Sequence, residues 1–216
     1  MASMIGALHL LPEEVLVKTG PVDHADWNFR PLLGAIQRSR FRLLLDLLGD
    51  GPFERLLEIG YGSGVFLPEL ARRTGRLYGV DVHEESEQVA SALRKLDLSA
   101  ELTTAGAERM PYEDALFDAA VAVSSFEFLS DFDRGCREIR RVLRPGGVFV
   151  VITPGSSPIL DLGLKLLTGA DAERDYQGRR AAVIPALTRH FRVVRARTFP
   201  NRLFPVYRGF RLAKLG

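Results

Sequence analysis

The sequence has a single cysteine, Cys136, in 216 residues. This excludes an intrachain disulfide framework and any cysteine-rich metal site. On the helix expected over 132–143 Cys136 reads as a small buried apolar residue. No apolar run approaches the ~18 residues that a membrane-spanning helix needs. The opening "MASMIGALHLLPEEVL" lacks a basic stretch, and Pro12 and Glu13 break its apolar residues, so it does not read as a secretion signal. The expectation is a soluble cytoplasmic protein with no bound metal. Internal repeats and low-complexity segments are absent. Acidic residues are missing after Asp175, whereas Arg179, Arg180, Arg189, Arg192, Arg195, Arg197, Arg202, Arg208, Arg211 and Lys214 follow. Such a basic quarter can attract a phosphate, an acidic substrate, an anionic membrane or nucleic acid. The simpler reading is a solvated face whose counter-charges lie earlier in the chain.

What is present is a regular alternation. The length suits one domain, expected to divide into an N-terminal lid or helical extension (1–50) and one compact unit (51–216). "PLLGAIQRSRFRLLLDLLGDG" predicts an amphipathic helix, with Pro31 in its first turn and Gly49 and Gly51 at its end. Apolar strand patterns and helical patterns then follow one another: "RLLEIG", "VFLPELARRTG", "RLYGVD", "ESEQVASALRKL", "AELTTA", "FDAAVAVS", "FDRGCREIRRVL" and, after "RPGG", "VFVVITP". This order predicts an α/β fold, a doubly wound and mostly parallel sheet with helices on both faces. "SSPILDLGLKLLTG" and "RRAAVIPALTRHF" read as helical. "RVVRARTF" and "LFPVYRGFRLA" read as an antiparallel hairpin at a sheet edge.

The chemistry concentrates after the first strand. In "LLEIGYGSGVFLPEL", Gly60, Gly62 and Gly64 let the backbone turn sharply and approach a bound molecule, where ligands of doubly wound sheets sit. A dinucleotide fingerprint would put its third small residue at 65, where this chain has Val65, and this disfavours a nicotinamide cofactor. Asp81 ends the second strand, where a carboxylate can accept hydrogen bonds from both ribose hydroxyls of an adenosine; the plainer reading is a cap for the helix that follows, and the position beside the glycine loop favours the ribose.

With "LLEIGYGSG", "LYGVD", "AERMPYEDALFD" and "RRVLRPGG" in this order and spacing, the stretch from about Arg55 to Pro154 resembles the class I S-adenosylmethionine-dependent methyltransferases, closest to their small-molecule, ubiquinone/menaquinone-type branch. The resemblance implies a seven-stranded Rossmann-like sheet with its last strand inserted antiparallel. It implies S-adenosylmethionine as cofactor, with Glu58, Gly60, Tyr61, Gly62, Ser63 and Gly64 around its methionine part. Asp81, with Val82 beside it, would hold the ribose. Ala107 and Glu108 would lie at the adenine edge, Met110 would pack on the ring, and Ser124 and Ser125 would line the floor near the sulfonium. Two positions depart from the family: Gly106 stands where an aspartate often binds the adenine amino group, and Glu127-Phe128 stands where Glu-His is common.

For an acceptor that must lose a proton, the candidate bases are His24, Asp26, Glu127 and His83. "VDHADWNFRP" offers Trp27, Asn28, Phe29 and Arg30 as a lid or acceptor-pocket element, or as a staple between the first helix and the sheet; Ile159 to Leu167 is a second pocket candidate. The partner expected is a small-molecule acceptor. An RNA or protein substrate, and a cofactor-binding protein without activity, stay open as alternatives. Nucleic acid is disfavoured because no aromatic–basic interleaving is present and "SSFEFL" replaces the Asn/Asp-Pro-Pro-Tyr/Phe motif of base-amino methylation. Oligomeric state is not legible.

Overall fold

The computed structural model describes residues 7–21, 23–155 and 179–215; the 159–167 pocket candidate lies outside them. Leu56 and Leu57 show how the layers arise. Adjacent strand residues point to opposite faces, and these two enter different apolar clusters. One cluster joins the strands to α1 (Pro31–Leu48), α2 (Leu67–Ala71) and α3 (Ser86–Arg94). The other joins them to α4 (Phe132–Val142) and α5 (Arg180–His190). Both sheet faces are therefore covered, and the strands read as continuous apolar runs for that reason.

The strands are β1 (Phe53–Ile59), β2 (Thr74–Asp81), β3 (Glu101–Thr104), β4 (Phe117–Val123), β5 (Leu143–Pro154), β6 (Phe191–Pro200) and β7 (Pro205–Lys214). They form one sheet in the order β3-β2-β1-β4-β5-β7-β6. Pairings from β3 through β5 are parallel, and β7 is antiparallel to both β5 and β6. The late hairpin and the inserted strand thus match the expectation. The order reverses between β1 and β4, so the carboxyl ends of these two strands flank the switch-point crevice.

Two local readings change. The helix expected over 65–75 is only Leu67–Ala71, because β2 already pairs with β1 from Thr74 and the Phe53 amide bonds to the Arg73 carbonyl at 2.8 Å. "RPGG" does not end an element; it is a kink inside β5, with Gly146 at φ 78° and an irregular register between Phe117 and Ala119.

Helix α1 runs along the β7 side of the sheet. The Tyr207 hydroxyl donates to Gln37 Oε1 near its start (3.3 Å), and Arg211 Nη1 donates to the carbonyls of Leu47 (2.8 Å) and Leu48 (2.6 Å) at its end. The basic quarter is partly consumed in such contacts. Arg195 and Arg197 pair with Asp46, and Arg189 pairs with Asp133. The segment before α1 is fastened across the glycine turn by the Leu11 amide on the Val65 carbonyl (3.0 Å) and the His9 amide on Glu69 Oε2 (2.8 Å).

Candidate active site

The turn after β1 is built for close approach. Gly60, Gly62 and Gly64 all have positive φ (73°, 52° and 74°), a region that L side chains enter only with strain. A Cβ on Gly60 would collide with Ser125 Cβ, and one on Gly64 would lie 2.6 Å from Val89 Cγ1 on α3. Gly64 therefore serves helix packing, whereas Gly62 faces the N-terminal segment, with Thr19 Oγ1 3.9 Å from where its Cβ would be.

Asp81 organises this turn. Its Oδ2 accepts from the Gly62 amide (2.7 Å) and its Oδ1 from the Val82 amide (2.7 Å). His83 braces the same loop. Its Nδ1 accepts from the Glu85 amide (3.1 Å), so the ring proton sits on Nε2 and is donated to the Gly62 carbonyl (3.0 Å). The Tyr61 ring meets the His83 imidazole edge-on at 4.9 Å.

Beneath the turn lies a cavity of about 830 Å³, which the inner strand ends share with α1, the N-terminal segment and the start of β7. That volume suits a cofactor-sized ligand with room beside it. Its walls carry an unusual set of unsatisfied polar atoms: Glu58 Oε2, the Tyr61 hydroxyl, Ser124 Oγ and Arg40 Nε are buried without a hydrogen-bond partner among the described residues. Buried polar groups are normally paired, so these four mark where a polar ligand fits. Burial raises Glu58 to a pKa of about 8; the Asp81 charge adds to this and Arg40 opposes it. Burial also pushes the Tyr61 phenol up, helped by Asp81.

Of the residues expected to hold a cofactor, Glu58, Gly60, Tyr61, Gly62, Ser63, Asp81, Val82, Ala107, Glu108, Ser124 and Ser125 all line this one cavity. Ser125 is fixed by its hydroxyl donating to the Ile59 carbonyl (2.6 Å). Glu108 Oε1 is already engaged by the Ser130 amide (2.8 Å) and hydroxyl (2.9 Å). Burial would raise this carboxyl, but hydrogen bonds from Ser130 and Asp131 outweigh it and hold the pKa below the usual range. Met110 departs from its expected place against the adenine ring. It is buried in the cluster that includes Tyr78, Phe117 and Ile139, and it does not line the cavity.

The lid segment divides. His24 and Trp27 line the cavity, their rings stacked 4.1 Å apart. Asp26 and Arg30 pair with each other at 2.9 Å on the exterior, and neither reaches the cavity. Asn28 is buried with Nδ2 on the Ala25 carbonyl (2.9 Å), and Phe29 packs against the α1-side core. The segment is thus part pocket and part staple. Glu127 is fully buried behind the wall, neither oxygen hydrogen-bonded among the described residues. Burial raises it to a pKa of about 7, against the charges of Arg40 and Arg180.

Sequence reasoning missed Arg40. Its place in "QRSRF" on an amphipathic helix gives no signal, because only the tertiary packing of α1 turns that position toward the cavity that Glu58 also lines. Tyr207 and Gln37 were missed for the same reason.

Comparison with known proteins agrees with this geometry. Residues 57–151 match the family described as a methyltransferase domain. Demethylmenaquinone methyltransferase of Deinococcus radiodurans is 33% identical over 123 residues, 56% of this chain and 51% of that protein. The chain spans half or less of the length of two other curated relatives it matches, 29% of sterol 4-C-methyltransferase strm-1 of Caenorhabditis elegans and 49% of malonyl-[acyl-carrier protein] O-methyltransferase of Geobacter sulfurreducens. N-methyltransferase NodS from Bradyrhizobium japonicum WM9, solved with S-adenosyl-L-homocysteine, superposes with a TM-score of 0.66 at 22% identity, covering 89% of this chain and 93% of that one. Geranyl diphosphate C-methyltransferase from Streptomyces coelicolor A3(2) gives 0.66 at 17% identity and covers 94% of each chain. Residues 57–151 are thus similar to a methyltransferase domain, and the fold that carries them is shared with solved methyltransferases.

Proposed function

We propose that the protein transfers a methyl group from S-adenosylmethionine to a small-molecule acceptor by in-line displacement. The observation that carries this reading is one cavity that joins the glycine turn and Asp81 to four buried polar atoms without partners among the described residues. The donor set fits the cofactor group by group. Asp81 suits a ribose diol, Glu58 an ammonium, and the Arg40 guanidinium a carboxylate, while Val82, Ala107 and Glu108 border a flat ring. When bound, the cofactor supplies a methyl group on a sulfonium, an excellent leaving group.

The chain's own work is then binding, alignment and exclusion of water. Orientation of this kind supplies roughly 7–11 kcal/mol of barrier reduction in favourable cases. Ser124, held at φ 51° with its hydroxyl unpartnered among the described residues, and Ser125 form the floor where β4 ends. The acceptor occupies the outer part, walled by Leu33, Ile36, Phe41, Trp27, Val206 and Tyr207. Where that acceptor carries a proton to be lost, His24 is the base of choice. Of the four candidates Asp26 is outside, Glu127 is behind the wall, and the His83 imidazole is committed to Gly62 and Glu85. An RNA substrate gains no support from the basic quarter, whose Arg189, Arg195 and Arg197 are paired within the fold.

Calorimetry against S-adenosylmethionine, S-adenosylhomocysteine and NADH tests the reading. Binding of the first two at a single site, weakened about 100-fold by Asp81→Asn, is expected; binding of NADH alone would overturn it. Mass analysis of a small-molecule panel after incubation separates a working enzyme from a protein that only binds the cofactor.

A further inference from the structure

Position 106 has no need of glycine on its own account. Its φ lies outside the left-handed region, and a single atom within 4 Å would meet a Cβ there: Glu108 Oε2, at 3.1 Å. The bare backbone therefore makes room for a carboxylate that folds back over it. Ala105 and Ala107, on either side, line the cavity, and so do Glu108 and Ser130. This half-buried carboxylate thus stands at the cavity's edge.

The two oxygens of Glu108 have different duties. Oε1 is saturated: it accepts from the Ser130 amide (2.8 Å) and hydroxyl (2.9 Å) and, at 3.4 Å, from the amide of Asp131, the N-cap of α4. The main chain is tied as well, the Glu108 carbonyl accepting from Arg134 Nε (3.1 Å). Oε2 accepts from no other residue among the described ones. Burial opposes the charge, but the bonds from Ser130, Asp131 and the residue's own amide hold the pKa below the usual range. At neutral pH the group is an anchored anion, and an ionised carboxylate can only accept. A purine lying against Val82 and Ala107 presents ring nitrogens, which are acceptors when unprotonated, and one exocyclic group at carbon 6. An anchored acceptor separates the two common forms of that group, since an amino group donates and an oxo group does not. We propose that Glu108 Oε2 accepts a hydrogen bond from the 6-amino group of the bound nucleoside and selects a 6-aminopurine over a 6-oxopurine, in the space that Gly106 leaves open. The inference rests on the proposed function for the kind of ligand and goes beyond it in assigning how the base is told apart.

Calorimetry of the full chain against S-adenosylhomocysteine and its 6-oxo counterpart, S-inosylhomocysteine, tests this. The parent is expected to bind the amino compound about 30-fold more tightly, the range of one hydrogen bond to a charged group. In Glu108→Gln the amide oxygen stays with the Ser130 and Asp131 amides, which can only donate. Its NH2 then takes the place of Oε2, and an acceptor becomes a donor. The amino compound is expected to weaken by about tenfold or more and the oxo compound to strengthen, which brings their ratio to about one or below. A merely structural role for Glu108 would weaken both alike. Gly106→Ala, whose Cβ presses on Oε2, is expected to narrow the parent's ratio about threefold and to leave the oxo compound's affinity unchanged. Equal affinity of the parent for both compounds would overturn the inference while leaving the proposed function standing. So would a Glu108→Gln or Gly106→Ala chain that keeps the parent's ratio. Binding of neither compound to the parent would overturn the proposed function and this inference together.

Discussion

The inner and outer ends of the cavity are made by different means. At the inner end the backbone itself is the tool: three positive-φ glycines, two amides on the Asp81 carboxylate and a serine interlocked with the end of β1. At the outer end the walls are side chains from three separated places, the 24–27 turn, the start of α1 and the start of β7, held together by packing and by side-chain hydrogen bonds such as Gln37–Tyr207 and Arg38 to the Asn28 carbonyl. Backbone-built geometry tolerates almost no substitution, whereas a wall of independent side chains changes shape one residue at a time. Under the proposed function, such a division would suit a common cofactor and a variable acceptor.

Gly60 puts that contrast to its severest trial. Gly60→Ala sets a Cβ against Ser125 on a residue that must keep positive φ, so a loss of about 2–4 kcal/mol in urea unfolding is expected. An outer-wall substitution such as Leu33→Ala should leave stability within about 1 kcal/mol. Next in size, Asp81→Asn should weaken S-adenosylhomocysteine binding by about 100-fold in calorimetry, because two charge-assisted hydrogen bonds become neutral ones. If the affinity is unchanged, the ribose is held elsewhere.

Glu58 probes the inner end further through pH. Its folded pKa, about 8, lies above the ordinary value of 4.5, so the native state holds a proton that the unfolded chain gives up between these two values. Stability from this group is complete below about pH 4.5 and declines as pH rises toward 8. Thermal melts of the ligand-free chain should therefore fall across pH 5–8, and Glu58→Gln should flatten that slope, though Glu127 contributes similarly up to about 7. If Glu58 meets the cofactor's ammonium, binding at pH 7 releases a proton, which appears as a dependence of the calorimetric heat on buffer ionisation.

At the outer end Trp27→Ala should raise the acceptor KM about tenfold and change S-adenosylhomocysteine affinity less than about threefold. The smallest effect belongs to Asp26→Asn. The Asp26–Arg30 pair is half exposed on the exterior, so stability should move by less than about 0.5 kcal/mol and kcat should stay unchanged. A large loss of activity in that variant would restore Asp26 to the reacting centre.

The same division explains what could be read from the sequence. Backbone devices leave compositional marks: the spacing of Gly60, Gly62 and Gly64, a carboxylate closing β2, and a turn between two late strands were all legible, whereas the seven-stranded sheet with its inserted strand was implied by the resemblance. Side-chain convergence leaves none. The Arg40 charge acts on Glu58 only because α1 packs against the sheet in one rotational setting. Asp26, two residues after the cavity-lining His24, faces outward because of how the 25–29 helical turn is rotated. Met110 failed for a related reason: next to Ala107 and Glu108 in sequence, it is carried into the opposite-face core once its amide bonds to Glu138 Oε1 on α4 (2.8 Å).

The tie between the Leu11 amide and the Val65 carbonyl has a practical corollary. It clips a distant stretch of chain to the first residue beyond the third glycine, so exchange of this one amide proton is expected to slow when a ligand fills the cavity next door. Deuterium uptake at Leu11, measured with and without nucleoside, would turn this strap into a built-in gauge of occupancy.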